Sequence, residues 1–232
     1  MRKLTISILA SLWIALLGFN TANSDVVVGL TGSMIKVEAS GTETDSADSG
    51  TENSTRTKDV DELSLVGSIY AEYVADNGFT LGLEYYPGAA DVSDKAHTRT
   101  DTEKSVTDDS TENSDSRKFT ANAEVENYGI AYAEIGKTFF VRAGYSQLDL
   151  NTLEVATSNG GNYPNVSING VNYGAGIKGE MGDNLNWKLF YEATNWDDIS
   201  LVSTGNSVTS ETNTITADLD TSEFKFALGY RF

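Results

Sequence analysis

The sequence predicts an all-β fold, an eight-stranded antiparallel transmembrane up-and-down β-barrel with short periplasmic turns and long extracellular loops. Apolar and polar residues alternate with a period of two in eight segments, and the connections between these segments alternate between short and long. After the N-terminal region, no stretch approaches the roughly 20 apolar residues that a membrane helix needs. In lipid, a closed barrel is then the structure that satisfies every backbone polar group.

The N-terminal segment has the pattern of a secretory signal peptide. Arg2 and Lys3 precede an apolar run that ends at Phe19, and the small residues Ala22 and Ser24 follow. We expect cleavage after residue 24, so that residues 25–232 form the barrel domain. An uncleaved anchor helix is the alternative, but the apolar run is short for a membrane span.

The composition excludes several classes of function. The chain has 232 residues, a formal net charge of -18, no cysteine and one histidine. An acidic chain lacks the basic face of a nucleic-acid-binding protein, and a chain without cysteine has no disulfide, thiolate metal site or cysteine nucleophile. The acidic first loop departs from the calcium-loop pattern at Ala47 and Arg56. We therefore expect no metal and no cofactor.

The alternation is clearest at the C-terminus. There the apolar residues Phe224, Phe226, Leu228, Tyr230 and Phe232 alternate with Lys225, Ala227, Gly229 and Arg231. We expect lipid to cover the apolar face, because nothing follows in the sequence to cover it. The outward apolar residues predicted for six further strands are Val26, Val28, Leu30 and Met34; Leu63, Leu65, Ile69, Ala71 and Tyr73; Phe79, Leu81, Leu83 and Tyr85; Phe139, Val141, Ala143 and Tyr145; Val171, Tyr173, Ala175, Ile177 and Met181; and Leu185, Trp187, Leu189, Tyr191 and Ala193.

The fourth segment is less defined than the others. It carries Tyr128, Ile130 and Tyr132 on one face, and glycine and alanine on the other. We assign the three large residues to the apolar face but leave the register open, since Glu124 or Glu126 could point inward.

Turn chemistry supports the order of the strands. The three short connections are Asp76-Asn77-Gly78, Ile135-Gly136-Lys137 and Gly182-Asp183-Asn184, which contain residues that tolerate a positive φ angle. The long connections at residues 41–62 and 89–118 are rich in Ser, Thr, Asp, Glu and Asn, and we predict that they are mobile, without strands. Those at 151–170 and 200–218 should prolong their hairpins beyond the membrane.

Aromatic residues fall into two groups that fit the two membrane interfaces. A soluble barrel of the lipocalin type is the alternative, but it would place polar residues outside. The residues predicted near the long loops are Tyr85, Tyr128, Tyr145, Tyr173, Tyr191, Trp196 and Phe224, and those near the short turns are Phe79, Phe139, Trp187, Tyr230 and Phe232.

With this strand order and C-terminal strand, the chain resembles the small eight-stranded outer-membrane barrels of the OmpA and OmpX type, also grouped as opacity-type or porin-family proteins. The resemblance implies a location in the outer membrane of a Gram-negative bacterium. It also implies contact with outer-membrane lipids and lipopolysaccharide, and with periplasmic chaperones and the barrel assembly machinery during biogenesis. The resemblance assigns the assembly signal to Phe226, Leu228, Tyr230 and Phe232.

The inward positions predict a charged lumen. Oppositely charged groups in a narrow barrel should pair, because an unpaired buried charge is destabilising by several kcal/mol. We therefore expect a mostly closed interior, and the alternative is a gated, narrow conduit in which a pair such as Arg142 with Glu72 or Glu84 switches partners. The predicted inward set is Tyr70, Glu72, Glu84, Arg142, Lys178, Glu180, Lys188, Glu192, Lys225 and Arg231.

These features favour a monomeric barrel with a structural or surface-interaction role, such as envelope integrity, adhesion or shielding by an anionic layer. A narrow channel for small solutes or cations, or a path for small hydrophobic solutes through the wall, is the alternative. A lipid-modifying enzyme is a further alternative with weak support. The only histidine, His97, lies in the acidic second loop, where we expect no strand to hold it against a nucleophile.

Overall fold

The computed structural model describes residues 24–45, 55–91, 97–106, 112–156, 162–204 and 212–232. The predicted signal peptide lies outside these ranges apart from Ser24, the first residue of β1. The described strands are β1 (Ser24–Asp45), β2 (Thr55–Ala75), β3 (Phe79–Tyr85), β4 (Ala90–Asp91), β5 (His97–Val106), β6 (Glu112–Ile135), β7 (Phe139–Ala156), β8 (Val166–Met181), β9 (Leu185–Trp196), β10 (Ile199–Val202) and β11 (Asn213–Arg231).

These strands form one closed antiparallel barrel with eight strand positions around its wall. We call each position a stave, whether one strand or several in line occupy it. Six staves are single strands; β4 and β5 continue the stave of β3, and β10 continues that of β9. Pairing of β1 with β11 closes the sheet. We can follow the paired residues from strand to strand, starting at Ile35 of β1 and going once around the wall. The path returns to β1 at Asp25, so the strands are staggered by ten residues over one circuit. This stagger is what a tilted, closed sheet requires. The predicted fold class is confirmed.

The two faces of the wall have opposite chemistry, as the alternation predicts. Along β11, Phe224, Phe226, Leu228 and Tyr230 are exposed, whereas Lys225 and Ala227 between them are buried. The same division holds on β1, where Leu30 is 66% exposed and Thr31 is 4% exposed. Because successive side chains of a strand point to opposite faces, the barrel has an apolar exterior and a polar interior.

Glycine makes each of the three short turns possible. Gly78, Gly136 and Gly182 have φ angles of 87°, 129° and 71°, in the region that residues with a Cβ atom rarely adopt. All three lie where the sequence predicts a tight connection. At one end of the barrel, neighbouring strands are consequently joined by short hairpins.

The prediction of mobile first and second loops is wrong for the described residues. β1 and β2 pair as far as Thr44 and Thr55, and β5 pairs with β6 from His97 to Val106. These segments have few apolar side chains, but antiparallel pairing satisfies their backbone groups, and threonine suits extended structure. The predicted extension of the hairpins around β7, β8, β10 and β11 is confirmed.

The face assigned to the fourth predicted strand is wrong. Tyr128, Ile130 and Tyr132 of β6 point into the barrel and are buried. A β-bulge between Glu126 and Gly129 adds one residue, and Asn127 there has a φ angle of 54°. Large apolar residues inside and alanines outside reverse the usual pattern, so periodicity alone assigned the wrong face. Glu124 and Glu126 are half-buried, not part of the interior cluster.

Two members of the predicted aromatic group near the long loops lie inside the barrel. Tyr128 and Trp196 are buried, with their ring centroids 5.5 Å apart. These two large rings point inward because they fill the lumen, where they pack in the buried apolar cluster. The remaining residues of the two aromatic groups are on the outer face, where Tyr145, Tyr173 and Phe139 are among the exposed ones.

Candidate functional site

The barrel interior concentrates charged residues at inward positions of seven strands. Alternation places them two or four residues apart on a strand, for example Glu223 and Lys225 on β11 and Lys188 and Glu192 on β9. We divide them into a turn-side cluster (Glu72, Glu134, Lys178 and Lys188) and a loop-side cluster (Glu84, Arg142, Glu192, Glu223 and Lys225).

In the turn-side cluster, Glu134 joins two lysines. Its Oε2 atom lies 2.8 Å from Lys188 Nζ and 3.2 Å from Lys178 Nζ. Lys188 also forms an ion pair with Glu72, and the hydroxyl of Tyr132 donates a 2.7 Å hydrogen bond to Glu72 Oε1. The cluster thus links four staves across the turn end of the lumen.

The loop-side cluster is centred on Arg142 and Lys225. Arg142 Nη2 lies 2.7 Å from Glu84 Oε2, and Arg142 Nε lies 2.6 Å from Glu192 Oε2. Lys225 Nζ lies 2.7 Å from Glu192 Oε1 and 3.5 Å from Glu223 Oε2. These five side chains are each at most 2% exposed, so the ionic contacts are sealed from solvent.

Aromatic side chains fill the space between the charges. Arg142 Cζ lies 3.4 Å from the centroid of the Tyr132 ring, which is a cation–π contact. Tyr86 donates a 2.8 Å hydrogen bond to Glu223, and its ring stacks on that of Tyr128 at 4.3 Å. Fixed rings and hydrogen bonds hold the charged groups in one arrangement.

Beyond the charged layer, apolar residues fill the loop end of the lumen. Leu148, Ile168, Trp196, Ile199 and Leu201 are buried in one cluster with the interior tyrosines. From the turn end to the loop end of the barrel, the lumen is therefore filled by the turn-side cluster, then the loop-side cluster, and then this apolar cap.

Most of the predicted inward residues lie inside, but two lie at the turn-side mouth. The side chain of Glu180 is 61% exposed and that of Arg231 is 26% exposed, and the two pair at 2.7 Å. Arg231 Nε also lies 3.3 Å from Asp25. Glu180 and Arg231 lie near the ends of their strands, where the barrel opens to solvent. A cavity of about 260 Å³ at this mouth reaches inward as far as Glu72 and Lys188.

Sequence reasoning missed two interior acids, Glu134 and Glu223. The wrong face assigned to β6 hid Glu134, which lies two residues after Tyr132 on the inward face. Glu223 lies two residues before the inward residue Lys225, and Thr221 lies two residues before Glu223. Extending the C-terminal alternation toward Thr221 would therefore have placed Glu223 on the inward face. With both acids included, the two clusters of the described interior hold four cations and five carboxylates.

Of the two partners named for Arg142 in the gated-conduit alternative, the structure pairs it with Glu84 and not with Glu72. Arg142 pairs with Glu84 and Glu192, whereas Glu72 is held by Lys188 and Tyr132. His97 does begin a strand, contrary to expectation, and its backbone pairs with Ala121. No group of residues suited to hold a metal ion occurs within the described ranges.

The predicted assembly residues lie on the outer face at the end of the wall. Phe226, Leu228 and Tyr230 are exposed, and the rings of Tyr230 and Phe232 meet edge to face at 5.0 Å. The backbone N–H of Phe232 donates to Val26 at 3.0 Å. Their role in assembly stays a prediction.

No protein-family model and no curated protein sequence matches the chain. Solved structures give likenesses at low identity. The outer membrane protein OprG from Pseudomonas aeruginosa is 10% identical over 91% of this chain and 96% of its own, with a TM-score of 0.45. The outer membrane protease OmpT from Escherichia coli is 7% identical over 94% and 100%, with a TM-score of 0.48.

The outer membrane protein AlkL, solved in lipid bilayers, is 11% identical over 93% of each chain, with a TM-score of 0.45. The pairing of neighbouring strands and of β1 with β11 defines the fold. Among the described residues, no helix has the length and apolarity needed to cross a membrane.

Proposed function

We propose that this chain is an integral outer-membrane β-barrel with a structural or surface-interaction role and a closed lumen. The sealed loop-side cluster carries the proposal. Arg142 and Lys225 neutralise Glu84 and Glu192 in side chains that are almost wholly buried, and aromatic rings fill the remaining space. A solute crossing the lumen would have to separate these buried pairs, which is energetically expensive.

The exterior supports placement in a membrane. Leu30, Phe139, Val141 and Phe226 are exposed at the middle or edge of the wall, with no protein layer over them in the described residues. A band of this kind is typical of outer-membrane barrels, in which lipid covers the apolar face. Contact with lipopolysaccharide, the involvement of the assembly machinery and the monomeric state are parts of this proposal.

The paired hairpins beyond the band support a surface role. In the extension of β1 and β2, Ser40 donates to Asp59 and Lys36 pairs with Glu38 and Asp61. This polar surface continues the wall away from the apolar band. We propose that it forms a hydrated, acidic layer that supports envelope integrity, adhesion or shielding. A catalytic role forms no part of the proposal.

Conductance of single molecules in planar bilayers tests the closed lumen. We expect no stable current steps from the folded wild-type protein. Removing two interior rings, by Tyr132→Ala together with Phe190→Ala, should permit transient openings of the lumen that appear as current steps. The matched control, Tyr145→Ala with Tyr173→Ala, removes two exposed rings of the outer face and should remain silent. Heat-modifiable migration on a gel verifies folding of each sample, and large, stable steps from the wild type would overturn the proposal.

A narrow channel is the second candidate, favoured by one observation. The cavity at the turn-side mouth already admits solvent as far as Lys188 and Glu72. Both charged clusters and the apolar cap would have to open for conduction. Cation-selective steps in the wild-type recording would establish this alternative.

A further inference from the structure

On the loop side of the charged clusters, two buried polar side chains have no protein partner. Asn172 on β8 and Ser146 on β7 are both 0% exposed. Within the described part of the chain, Asn172 Nδ2, Asn172 Oδ1 and Ser146 Oγ make no hydrogen bond. Buried polar atoms are nearly always hydrogen-bonded, so a group outside the protein is needed to satisfy them.

The strand register brings these two side chains together. Ser146 pairs across the sheet with Gly170, and Asn172 pairs with Gly144. Both side chains point inward, and they are diagonal neighbours, for which the separation of backbone positions is about 7 to 8 Å. The unpartnered polar atoms of both residues therefore lie on one inward patch of the wall.

Neighbouring side chains pack directly over the glycines opposite Asn172 and Ser146. A Cβ atom on Gly144 would collide with Asn172 Oδ1 and would lie 2.9 Å from Tyr132 Cβ. A Cβ atom on Gly170 would lie 2.8 Å from Thr194 Cγ2. The carboxamide of Asn172 therefore lies over the backbone of β7, on the side from which Ser146 projects.

We propose that Asn172 and Ser146 form a buried hydration site that holds one or two water molecules. The ligand is neutral, because the neighbouring charges of Arg142 and Glu192 already pair with each other. An amide and a hydroxyl supply both donors and acceptors, which matches the two to four polar partners of a buried water. An apolar ligand would leave the same atoms unsatisfied.

The site gives the lumen a second wet compartment. The first is the cavity at the turn-side mouth, and the two charged clusters lie between them. This inference is independent of the proposed function, because internal water can be held in a barrel that conducts or in one that does not.

Water-contact NMR on the folded, isotope-labelled protein in lipid nanodiscs tests the site. We expect cross-peaks between long-lived water and the side-chain amide protons of Asn172, and their loss in Ser146→Ala or a clear weakening. Asn195 supplies the internal control, because its exposed amide donates to Asp220 and should meet only fast-exchanging water. Absence of the Asn172 cross-peak in the folded wild type overturns the proposal.

Stability provides an independent readout. If water satisfies the site, Asn172→Leu removes its main partner and should lower the urea midpoint, whereas Asn195→Leu should change it less. If the atoms are unsatisfied, the apolar leucine should raise the midpoint instead, and this result contradicts the hydration site. Should Asn172→Leu fail to fold, the wild-type NMR measurement still decides.

Discussion

Lys225 is the residue on which the loop-side carboxylates depend most. It contacts Glu84, Glu192 and Glu223, and its side chain is 0% exposed. Arg142 shares two of these acids but does not pair with Glu223. The positive charge of Lys225 therefore has a structural role, because its removal would leave the buried carboxylates with too few cations to pair with.

Lys225→Met keeps the length of the side chain and removes its charge. We expect this change to lower the free energy of unfolding by about 3 to 5 kcal/mol, as for breaking a buried ion pair. Urea unfolding in a lipid or micellar environment, followed by gel mobility, measures it. Lys36→Met is the matched control at an exposed pair with Glu38 and should have little effect. Equal effects of the two variants would contradict a structural role for the interior charge.

At the scale of the element, turn geometry and strand pairing outweigh side-chain composition. Each short hairpin depends on one glycine with a positive φ angle, whatever its neighbours are. The polar hairpin of β1 and β2 is paired along its length although it buries little apolar surface. Backbone hydrogen bonds and continuity with the membrane-facing wall sustain it, which composition does not reveal.

Gly136→Ala tests the turn between β6 and β7. Its φ angle is 129°, and an added Cβ atom would collide with the backbone carbonyl oxygen of Phe139. We expect a loss of more than about 1 kcal/mol in unfolding free energy. Gly182→Asn is the control, because its φ angle of 71° suits asparagine and no atom lies within 4 Å of the added Cβ. A tolerated Gly136→Ala would show that this turn can rearrange.

Cysteine pairs test the paired extension of β1 and β2. The chain has no native cysteine, so only the introduced pair can form a disulfide. Thr42 and Thr57 are cross-strand partners with side-chain oxygens 3.3 Å apart. Thr42→Cys with Thr57→Cys should crosslink readily on oxidation. Thr42→Cys with Lys58→Cys should not, because successive side chains of a strand point to opposite faces. Equal crosslinking of both pairs would indicate the mobile loop that composition predicts.

The whole molecule has an inverted distribution of polarity compared with a soluble protein. Charged groups fill its interior, and large apolar residues such as Leu30, Leu65 and Phe139 lie on its surface. This arrangement is stable where lipid, not water, meets the outer wall. The acidic charge of the chain, formally -18, is consistent with the polar hairpins that extend from the apolar band.

Site-directed spin labels test the position of the apolar band. A nitroxide at Leu30→Cys should collide frequently with oxygen and rarely with a water-soluble nickel chelate, because its site faces lipid. A label at Glu38→Cys, on the exposed extension of the same strand, should show the reverse preference. Power-saturation electron paramagnetic resonance in lipid bilayers measures both. A water-like response at residue 30 would contradict a membrane-spanning wall.

The sequence by itself determined the eight-stave barrel, the three glycine turns and most of the inward charges, because a strand repeats every two residues and chemistry differs between its faces. Tertiary structure decided two things that this two-residue period does not determine: which face of β6 points inward, and which interior residues contact each other. Packing of Tyr128, Ile130 and Tyr132 inside the lumen decides the face of β6. Closure of the barrel brings Glu134 to Lys188 and Glu223 to Lys225. Such contacts join strands distant in the chain, so they follow from barrel stagger and packing rather than from local pattern.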